Sequence, residues 1–296
     1  MRWFGLIVWV IFMVSGAPAW AMTSPELRPL EQQLATMLAG RTGEYGVAAI
    51  DLRNGATVSI NGDRAFPMAS TVKVAVAASY LAQVDHGRRS LDDRLGASTA
   101  RRQMELMLTK SDNRATDVLI KDLGGPAAVQ AWLSFHGMDG IRVDRTIAQL
   151  LGDRRNLLDQ RDSATPMAMV RLLRTLDLGQ VLTPASRGTL LDMMSRCATG
   201  KNRMRAMLPF GTRVEHKTGT LDGLTDDVGF ITLPDGRRIA VALFARYGSD
   251  RPGSIARAAR FIYDGFTTMW RNPFTGMVPV AASTVGAPMR DPLAAN

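Results

Sequence analysis

The segment Phe66-Pro67-Met68-Ala69-Ser70-Thr71-Val72-Lys73 begins an apolar helix and places a serine in its first turn. Pro67 stands just ahead of a run with few helix breakers, Val72 to Val84, which puts Ser70 at or near the helix N-terminus. A spacing of three brings the Lys73 amine onto the same face as the Ser70 hydroxyl, one turn further on. The helix dipole and the free backbone N–H groups at this end stabilise a developing negative charge.

The pair Ser70 and Lys73 predicts a nucleophile with its base, on one condition. A lysine can accept the serine proton only when it is neutral, so burial or a second cation must lower its pKa. For an isolated Ser-x-x-Lys match, the alternative is a helix-capping serine beside a solvated lysine. The rest of the chain decides between the two interpretations.

Two further motifs follow in the chain. Ser111-Asp112-Asn113 comes after a helix-like segment, 100–108, and Lys217-Thr218-Gly219 lies near the end of an alternating strand, 212–220. Ser-x-x-Lys, Ser-Asp-Asn and Lys-Thr-Gly, in this order, are the motif set of class A β-lactamases and penicillin-binding proteins. The sequence therefore resembles the penicillin-recognising serine hydrolases, and class A β-lactamases in particular.

The resemblance to class A β-lactamases extends beyond the three motifs. The stretch 199–209, Thr-Gly-Lys-Asn-Arg-Met-Arg-Ala-Met-Leu-Pro, precedes the Lys-Thr-Gly strand as it does in that family. Val143-Asp144-Arg145 and the stretch 161–166, Arg-Asp-Ser-Ala-Thr-Pro, resemble the two ends of the family's Ω loop. We take the match to cover about residues 25–270 as one domain.

The resemblance also implies roles for the site residues. Ser70 attacks the carbonyl of a cyclic or peptide amide, and Lys73 is the first candidate for the base. Ser111 passes a proton to the departing nitrogen, and Lys217 is the second cation that keeps Lys73 neutral. The implied substrate-binding residues are Asn113, Thr218, Gly219, Thr220 and Arg203, and the backbone N–H groups of Ser70 and Thr220 form the oxyanion hole.

One part of the class A pattern is missing from the loop region. In that family a glutamate stands two residues after the opening arginine and activates the water that frees the acyl-enzyme. Here Arg145 is followed by Thr146 and Ile147, and no glutamate occurs between Glu105 and Glu215. The candidates for a deacylation water site are Gln149 and Asp153, with Asp159 as a further carboxylate.

The same loop suggests a structural ion pair. Arg145 and Asp162 stand at its two ends, and their opposite charges predict a salt bridge that closes the loop.

Hydrophobic periodicity predicts the architecture. Strand-like runs 45–52 and 57–60 flank Asn54-Gly55, a strong hairpin signal, and further strands are predicted at 212–220, 227–233 and 238–245. Because the strands at both ends of the chain must pair, we expect an α/β fold of the α+β type. An antiparallel sheet is flanked by helices, an all-helical subdomain is inserted between the sheet's two halves, and the active site lies in the cleft between them. The predicted helices are 25–38, 72–84, 100–108, 115–123, 127–135, 166–176, 184–194 and 254–270.

The chain divides into three segments. Residues 1–21 combine an early Arg2, an apolar run and Ala19-Trp20-Ala21, which predicts a signal peptide and export to the periplasm. Residues 22–272 form the catalytic domain, with its α/β part at about 25–60 and 206–270 and its helical part at about 61–205. Residues 273–296 are rich in Pro, Ala, Gly and Ser and are predicted to be a disordered tail.

Composition narrows the range of partners. The formal net charge is +9, but the arginines are scattered, so no nucleic-acid site is expected. The apolar run 3–14 is shorter than the about 20 residues that span a bilayer, so no stable membrane anchor is expected. Cys197 is the single cysteine, which excludes an intramolecular disulfide and suggests a small buried apolar residue.

The three histidines lack metal-ligand spacing and no Gly-x-Ser-x-Gly elbow occurs, so we expect no metal, no other cofactor and no Ser-His-Asp triad. A monomer acting on a β-lactam or a peptidoglycan peptide is expected.

Three functions stay open. The leading hypothesis is a serine hydrolase of the class A type that opens the β-lactam amide through a Ser70 acyl-enzyme, which means β-lactam catabolism and antibiotic resistance. The alternative is a D,D-peptidase or penicillin-binding acyl enzyme with slow deacylation acting on peptidoglycan, which the missing glutamate favours. The third is a non-catalytic cell-wall peptide-binding protein, although binding alone does not require a nucleophile with its base.

Overall fold

The centre of the structure, a computed structural model that describes residues 23–271, is an antiparallel sheet of five strands. Strands from the two ends of the chain lie side by side in it, with Glu44 opposite Arg246 and Asp51 opposite Ile239. The predicted pairing of the chain ends is therefore confirmed. In spatial order the strands are β2 (Thr57–Ile60), β1 (Glu44–Asp51), β9 (Arg238–Arg246), β8 (Leu224–Thr232) and β7 (Val214–Leu221).

Helices cover both faces of the sheet. Successive side chains of a strand point to opposite faces, so Val47 packs against the two terminal helices while Ala48 faces the helical part. The helices are α1 (Arg28–Ala39), α2 (Lys73–Asp85), α3 (Ala100–Thr109), α4 (Asn113–Leu123), α5 (Pro126–Phe135), α6 (Ile147–Gly152), α7 (Pro166–Asp177), α8 (Pro184–Ser195) and α9 (Arg251–Arg271).

Helix α2 is the central element of the helical part. Every residue from Lys73 to Ala82 is buried, because α3, α4, α5 and α8 surround this helix. A helix that is apolar on all sides requires such an environment. The burial matters for function because the first residue of α2 is a lysine.

The structure confirms the predicted fold class and adds elements that the sequence did not indicate. Two-residue strands and the six-residue helix α6 are too short for a periodic signal. The turn that contains Ser70 is a 3₁₀ helix, and α2 begins only at Lys73. The additional strands are β3 (Phe66–Pro67), paired with β6 (Ser163–Ala164), and β4 (Arg94–Leu95), paired with β5 (Ser98–Thr99).

The predicted signal peptide, 1–21, and the predicted tail, 273–296, lie outside the described residues. Within 23–271, no helix combines the length and the apolar character that crossing a membrane requires.

A buried ion pair joins the sheet to α9. The side chain of Arg237 is 3% exposed and that of Asp51 is fully buried, and the two form a salt bridge. Arg237 also donates to the carbonyl oxygen of Phe266, 2.9 Å away. The pair therefore links β1, the β8–β9 turn and the last helix.

Replacing Asp51 with alanine should lower the free energy of unfolding by about 3 kcal/mol, because it removes the fully buried one of the two carboxylates, Asp51 and the partly exposed Asp235, that pair with the Arg237 guanidinium. Urea unfolding measures the loss. The matched control is Asp264→Ala, which breaks the exposed Arg260–Asp264 pair and should cost under about 1 kcal/mol. Equal losses in the two variants would contradict this assignment.

Candidate active site

Ser70 lies in a strained turn between β3 and α2. The preceding residue, Ala69, has a φ of 45°, in the left-handed region that side chains other than glycine rarely adopt. The carbonyl oxygen of Met68 accepts hydrogen bonds from the backbone N–H and the hydroxyl of Thr71, at 2.9 and 2.7 Å, and these bonds hold the turn. Within 23–271 the half-buried Ser70 hydroxyl makes no hydrogen bond, so it is available to a substrate.

The amine of Lys73 is fully enclosed and points to the Ser-Asp-Asn motif. Its side chain is 0% exposed. Nζ donates to the carbonyl oxygen of Ser111 at 2.7 Å, to the hydroxyl of Ser111 at 3.2 Å and to Oδ1 of Asn113 at 2.8 Å. The first two motifs therefore meet at this amine.

The junction between α3 and α4 explains the Ser-Asp-Asn sequence. Ser111 has a φ of 60°, which ends α3 sharply. The Asp112 carboxylate then caps α4 by accepting a hydrogen bond from the Ala115 N–H at 2.7 Å. Asn113 becomes the first residue of α4, with its side chain held against Lys73.

The amine of Lys217 reaches the same serine from the sheet. β7 is an edge strand, and the fully buried Lys217 side chain extends from it to donate to the Ser111 hydroxyl at 2.9 Å. It also donates to the carbonyl oxygen of Thr218 at 2.8 Å. The Ser111 hydroxyl thus lies between two lysine amines.

The surroundings lower the pKa of both amines. Burial, and then the charge of Lys217, lower the pKa of Lys73 from 10.5 to about 7, against the opposing effect of the Asp112 and Asp117 carboxylates. Burial lowers the pKa of Lys217 from 10.5 to about 8. At pH 7 roughly half of the Lys73 population is neutral, which meets the condition for a base.

The strand β7 approaches the Ser70 turn closely at Gly219. A Cβ atom on Gly219 would lie 2.7 Å from the Met68 carbonyl oxygen, so no other residue fits there without a shift of the backbone. Arg203 secures this end of the strand by donating to the Gly219 carbonyl oxygen at 2.8 Å and to the Thr220 hydroxyl at 2.7 Å. The glycine of the Lys-Thr-Gly motif is thus required because β7 lies so close to the Met68 carbonyl oxygen.

Thr218 is positioned by a neighbouring threonine. Its hydroxyl lies 2.6 Å from that of Thr199, in the stretch before β7. The buried Cys197 places its Sγ 3.3 Å from the Thr199 hydroxyl. Cys197 therefore lies behind the Thr218 end of β7, buried as the sequence suggested for a small apolar residue.

His216 stands apart from the lysines. Its Nδ1 lies 2.7 Å from Oδ1 of Asp227, and both side chains are fully buried. The other oxygen of Asp227 accepts the backbone N–H of Met204 at 3.1 Å. Within 23–271 neither side chain of this pair forms a hydrogen bond with a serine, so the pair does not form a Ser-His-Asp triad.

The loop from 144 to 162 is organised around Arg145. The predicted ion pair is confirmed, with 2.6 Å between Nε of Arg145 and Oδ2 of Asp162. Asp153 and Asp159 bind the same guanidinium at 2.7 and 3.3 Å. Asp159 also accepts hydrogen bonds from Arg161, which lower its pKa to about 2. The three aspartates that bind Arg145 are therefore ion-paired, and the fourth carboxylate of the loop, Asp144, pairs with Arg142.

Gln149 and Asp153, the candidates for a deacylation water site, both form hydrogen bonds within the loop itself. Oε1 of Gln149 accepts the Thr146 N–H at 2.9 Å, which forms a capping box at the start of α6. Asp153 is held by Arg145. Within 23–271, neither side chain forms a hydrogen bond with Ser70.

Two contributions to the site carried no sequence signal. Both oxygens of Asp117 accept backbone N–H groups of α6, at 2.7 Å from Ile147 and 2.9 Å from Ala148. Leu157 packs against Ala69 and Leu224, beside the Ser70 turn. A single aspartate on a helix and a single leucine in a loop form no sequence pattern that predicts such long-range contacts.

Lys217→Ala should raise the pKa of Lys73, because it removes a neighbouring positive charge and admits water to the buried amine. NMR titration of lysines labelled at Cε measures this shift. Lys201→Ala, which removes an exposed lysine of the preceding turn, should leave the pKa unchanged. An unchanged pKa in both variants would contradict the coupling.

Comparison with known proteins agrees with this geometry. A sequence model described as the beta-lactamase enzyme family matches residues 29–266. Beta-lactamase CTX-M-8 of Citrobacter amalonaticus is 31% identical over 282 residues, which cover 87% of this chain and 94% of the relative.

Solved structures show the same similarity. An ancestral class A β-lactamase is 36% identical with a TM-score of 0.76, covering 80% of this chain and 100% of that one. A β-lactamase from Chitinophaga pinensis is 31% identical with a TM-score of 0.75, covering 80% of this chain and 99% of that one. The chain therefore belongs to the beta-lactamase enzyme family, as a serine hydrolase of the class A β-lactamase type.

Proposed function

We propose that this protein opens the amide bond of β-lactams by forming an acyl-enzyme on Ser70. The observation that carries the proposal is the convergence of two buried amines, Lys73 and Lys217, on the Ser111 hydroxyl beside the Ser70 turn. Neither amine has a carboxylate hydrogen-bonded to it within 23–271. Such an arrangement is costly for stability and is explained by a need for a neutral amine.

The first step transfers one proton and exchanges one bond. Neutral Lys73 accepts the Ser70 proton while the serine oxygen attacks the carbonyl carbon of the β-lactam. The carbon–nitrogen bond then breaks, and the proton passes from Lys73 through the Ser111 hydroxyl to the departing nitrogen. An ester on Ser70 and an opened ring remain, with Lys73 neutral again.

The remaining site residues bind the substrate. The backbone N–H groups of Ser70 and Thr220 stabilise the negative charge on the carbonyl oxygen, a contribution of about 3 kcal/mol per donor in other serine hydrolases. Lys217 and the neighbouring hydroxyls receive the substrate carboxylate. Asn113 already uses its Oδ1 for Lys73, which leaves its amide nitrogen to hold the substrate's side-chain carbonyl. The residues assigned to the carboxylate are Lys217, Thr218, Thr220 and Arg203, with Gly219 between them.

The second step, hydrolysis of the ester, lacks an evident base. Ile147 occupies the position of the family's glutamate, and Asp153, Asp159 and Asp162 are ion-paired with Arg145. Gln149 and Asp153 stay candidates for holding the water, but Asp153 would first have to leave Arg145. We therefore propose that deacylation is slower than acylation.

This imbalance supports a second candidate function. A D,D-peptidase or other penicillin-binding acyl enzyme needs the same acylation groups and releases β-lactams slowly. The ion-paired state of Asp153, Asp159 and Asp162 favours that candidate, whereas the similarity to class A β-lactamases favours the first. A non-catalytic peptide-binding protein has less support, because binding does not require a buried amine next to a serine.

The proposed place of action is the periplasm. Residues 1–21 would direct export and be removed, and the catalytic domain carries no membrane-spanning helix within 23–271. β-Lactams and peptidoglycan peptides are both encountered in that compartment, where the enzyme would contribute to antibiotic resistance in the first candidate function.

Replacing Ser70 with alanine should abolish covalent labelling by a fluorescent penicillin, because no other hydroxyl is proposed to attack the ring. Denaturing gel electrophoresis after incubation measures the label, and circular dichroism checks the fold. Ser134→Ala, at an exposed position on α5, is the matched control and should label as the unmodified protein does. Labelling that persists in Ser70→Ala would overturn the proposed nucleophile.

A further inference from the structure

A second cavity lies away from the Ser70 site, between the C-terminal end of α5 and the exposed side of α7. Its volume is about 560 Å³, which is in the range of small-molecule binding sites. No residue assigned to the Ser70 site lines this cavity. It therefore calls for an explanation of its own.

One guanidinium in the cavity, that of Arg174, has no hydrogen-bond or ion-pair partner among residues 23–271. Arg174 lines it and is half-buried, and its Nε is fully enclosed without a hydrogen-bond acceptor. Within 23–271 Arg174 forms no ion pair, whereas enclosed arginines such as Arg145 and Arg246 are each held by a carboxylate. A guanidinium presents five donors, and the four on the two Nη atoms of Arg174, which have no hydrogen bond within 23–271, are the donors that a ligand could use.

A second arginine stands beside the first. Arg171 is one helical turn earlier on α7 and also lines the cavity. Within 23–271 the Arg171 side chain donates one hydrogen bond, from Nη2 to the carbonyl oxygen of Asp139 at 3.2 Å. The exposed Asp139 is the one acidic residue in the lining, so the lining carries a net positive charge. Paired guanidinium groups match the planar oxygens of a carboxylate or phosphate.

The floor of the cavity is apolar. Ile50, Met138 and Met167 line it, and all three are buried against the sheet and α7. Methionine side chains adapt their shape to different apolar ligands. A ligand with a hydrocarbon body and an anionic head would satisfy both the floor and the two arginines.

We propose that this cleft is a binding site for an amphiphilic anion, in which Arg171 and Arg174 hold a carboxylate or phosphate head and the apolar floor holds the body. The cavity is lined by the two chain segments that flank the loop 144–162. The lining segment 136–139 leads into Val143-Asp144-Arg145 at the loop's start, and α7 follows the loop's end at Asp162. A ligand in this cavity therefore contacts both chain segments that flank the loop 144–162.

Calorimetric titration of the full-length protein with decanoate, below its micelle concentration, tests the proposal. We expect one binding event that weakens at least tenfold in Arg174→Gln and in Arg171→Gln. The matched control is Arg187→Gln, a half-buried arginine on α8 that does not line the cavity and should leave the affinity unchanged. Decyl phosphate replaces decanoate in a parallel series and identifies the preferred head group.

Two further measurements keep the result decisive. Decanol has the same body without the charge and should bind at least tenfold more weakly, and equal binding would overturn the assigned anionic head. If Arg174→Gln does not fold by circular dichroism, Arg174→Lys takes its place, because it keeps the charge and loses the planar fork, and it should bind several-fold more weakly. Absence of binding, or equal binding in the arginine variants and the control, would overturn the proposal.

Discussion

The structure depends on keeping two lysine amines buried around one serine hydroxyl. Lys73 and Lys217 both donate to Ser111 from inside the protein, at 3.2 and 2.9 Å, although burying like charges together is unfavourable. The fold meets this demand by bringing three distant segments to one point. Helix α2 is enclosed by four other helices, the α3–α4 junction is set by a capped turn, and β7 approaches the Ser70 turn at a glycine. The low pKa values of both lysines follow from this enclosure.

The loop beside the site shows the opposite use of charge. Arg145 binds three aspartates and so stabilises a loop that lacks the family's glutamate, while Asp117 secures α6 and Leu157 packs next to the Ser70 turn. A carboxylate that is paired with an arginine holds its proton weakly and is a poor base. The same interactions that order the loop therefore leave no unpaired carboxylate among Asp153, Asp159 and Asp162 to activate water against the ester that we propose on Ser70. The structure thus offers a base for the proposed acylation and no comparable base for the proposed deacylation.

Much of the fold was predictable because its signals are local. Periodicity located the main strands and helices, and the three motifs led to the prediction of Ser70, Lys73 and Lys217 as site residues, which the structure places around the Ser111 hydroxyl and the turn before α2. The two-residue strands, helix α6 and the 3₁₀ turn around Ser70 were not predictable, since each is stabilised by contacts with remote segments. Asp117 is the clearest example, because its role depends on a loop thirty residues away in sequence. Arg174 likewise has no ion-pair partner within 23–271, and this could not be predicted because it depends on the positions of the neighbouring acidic side chains.

The most direct test of the central claim follows the fate of the acyl-enzyme. Stopped-flow absorbance with a chromogenic cephalosporin, combined with intact-protein mass at matched times, separates acylation from release. We predict a rapid burst of about one equivalent, followed by slow turnover during which the mass of the adduct dominates. Fast, steady turnover without an accumulating adduct would contradict the account, because it would require an efficient base for water that the loop between Arg145 and Asp162 does not offer.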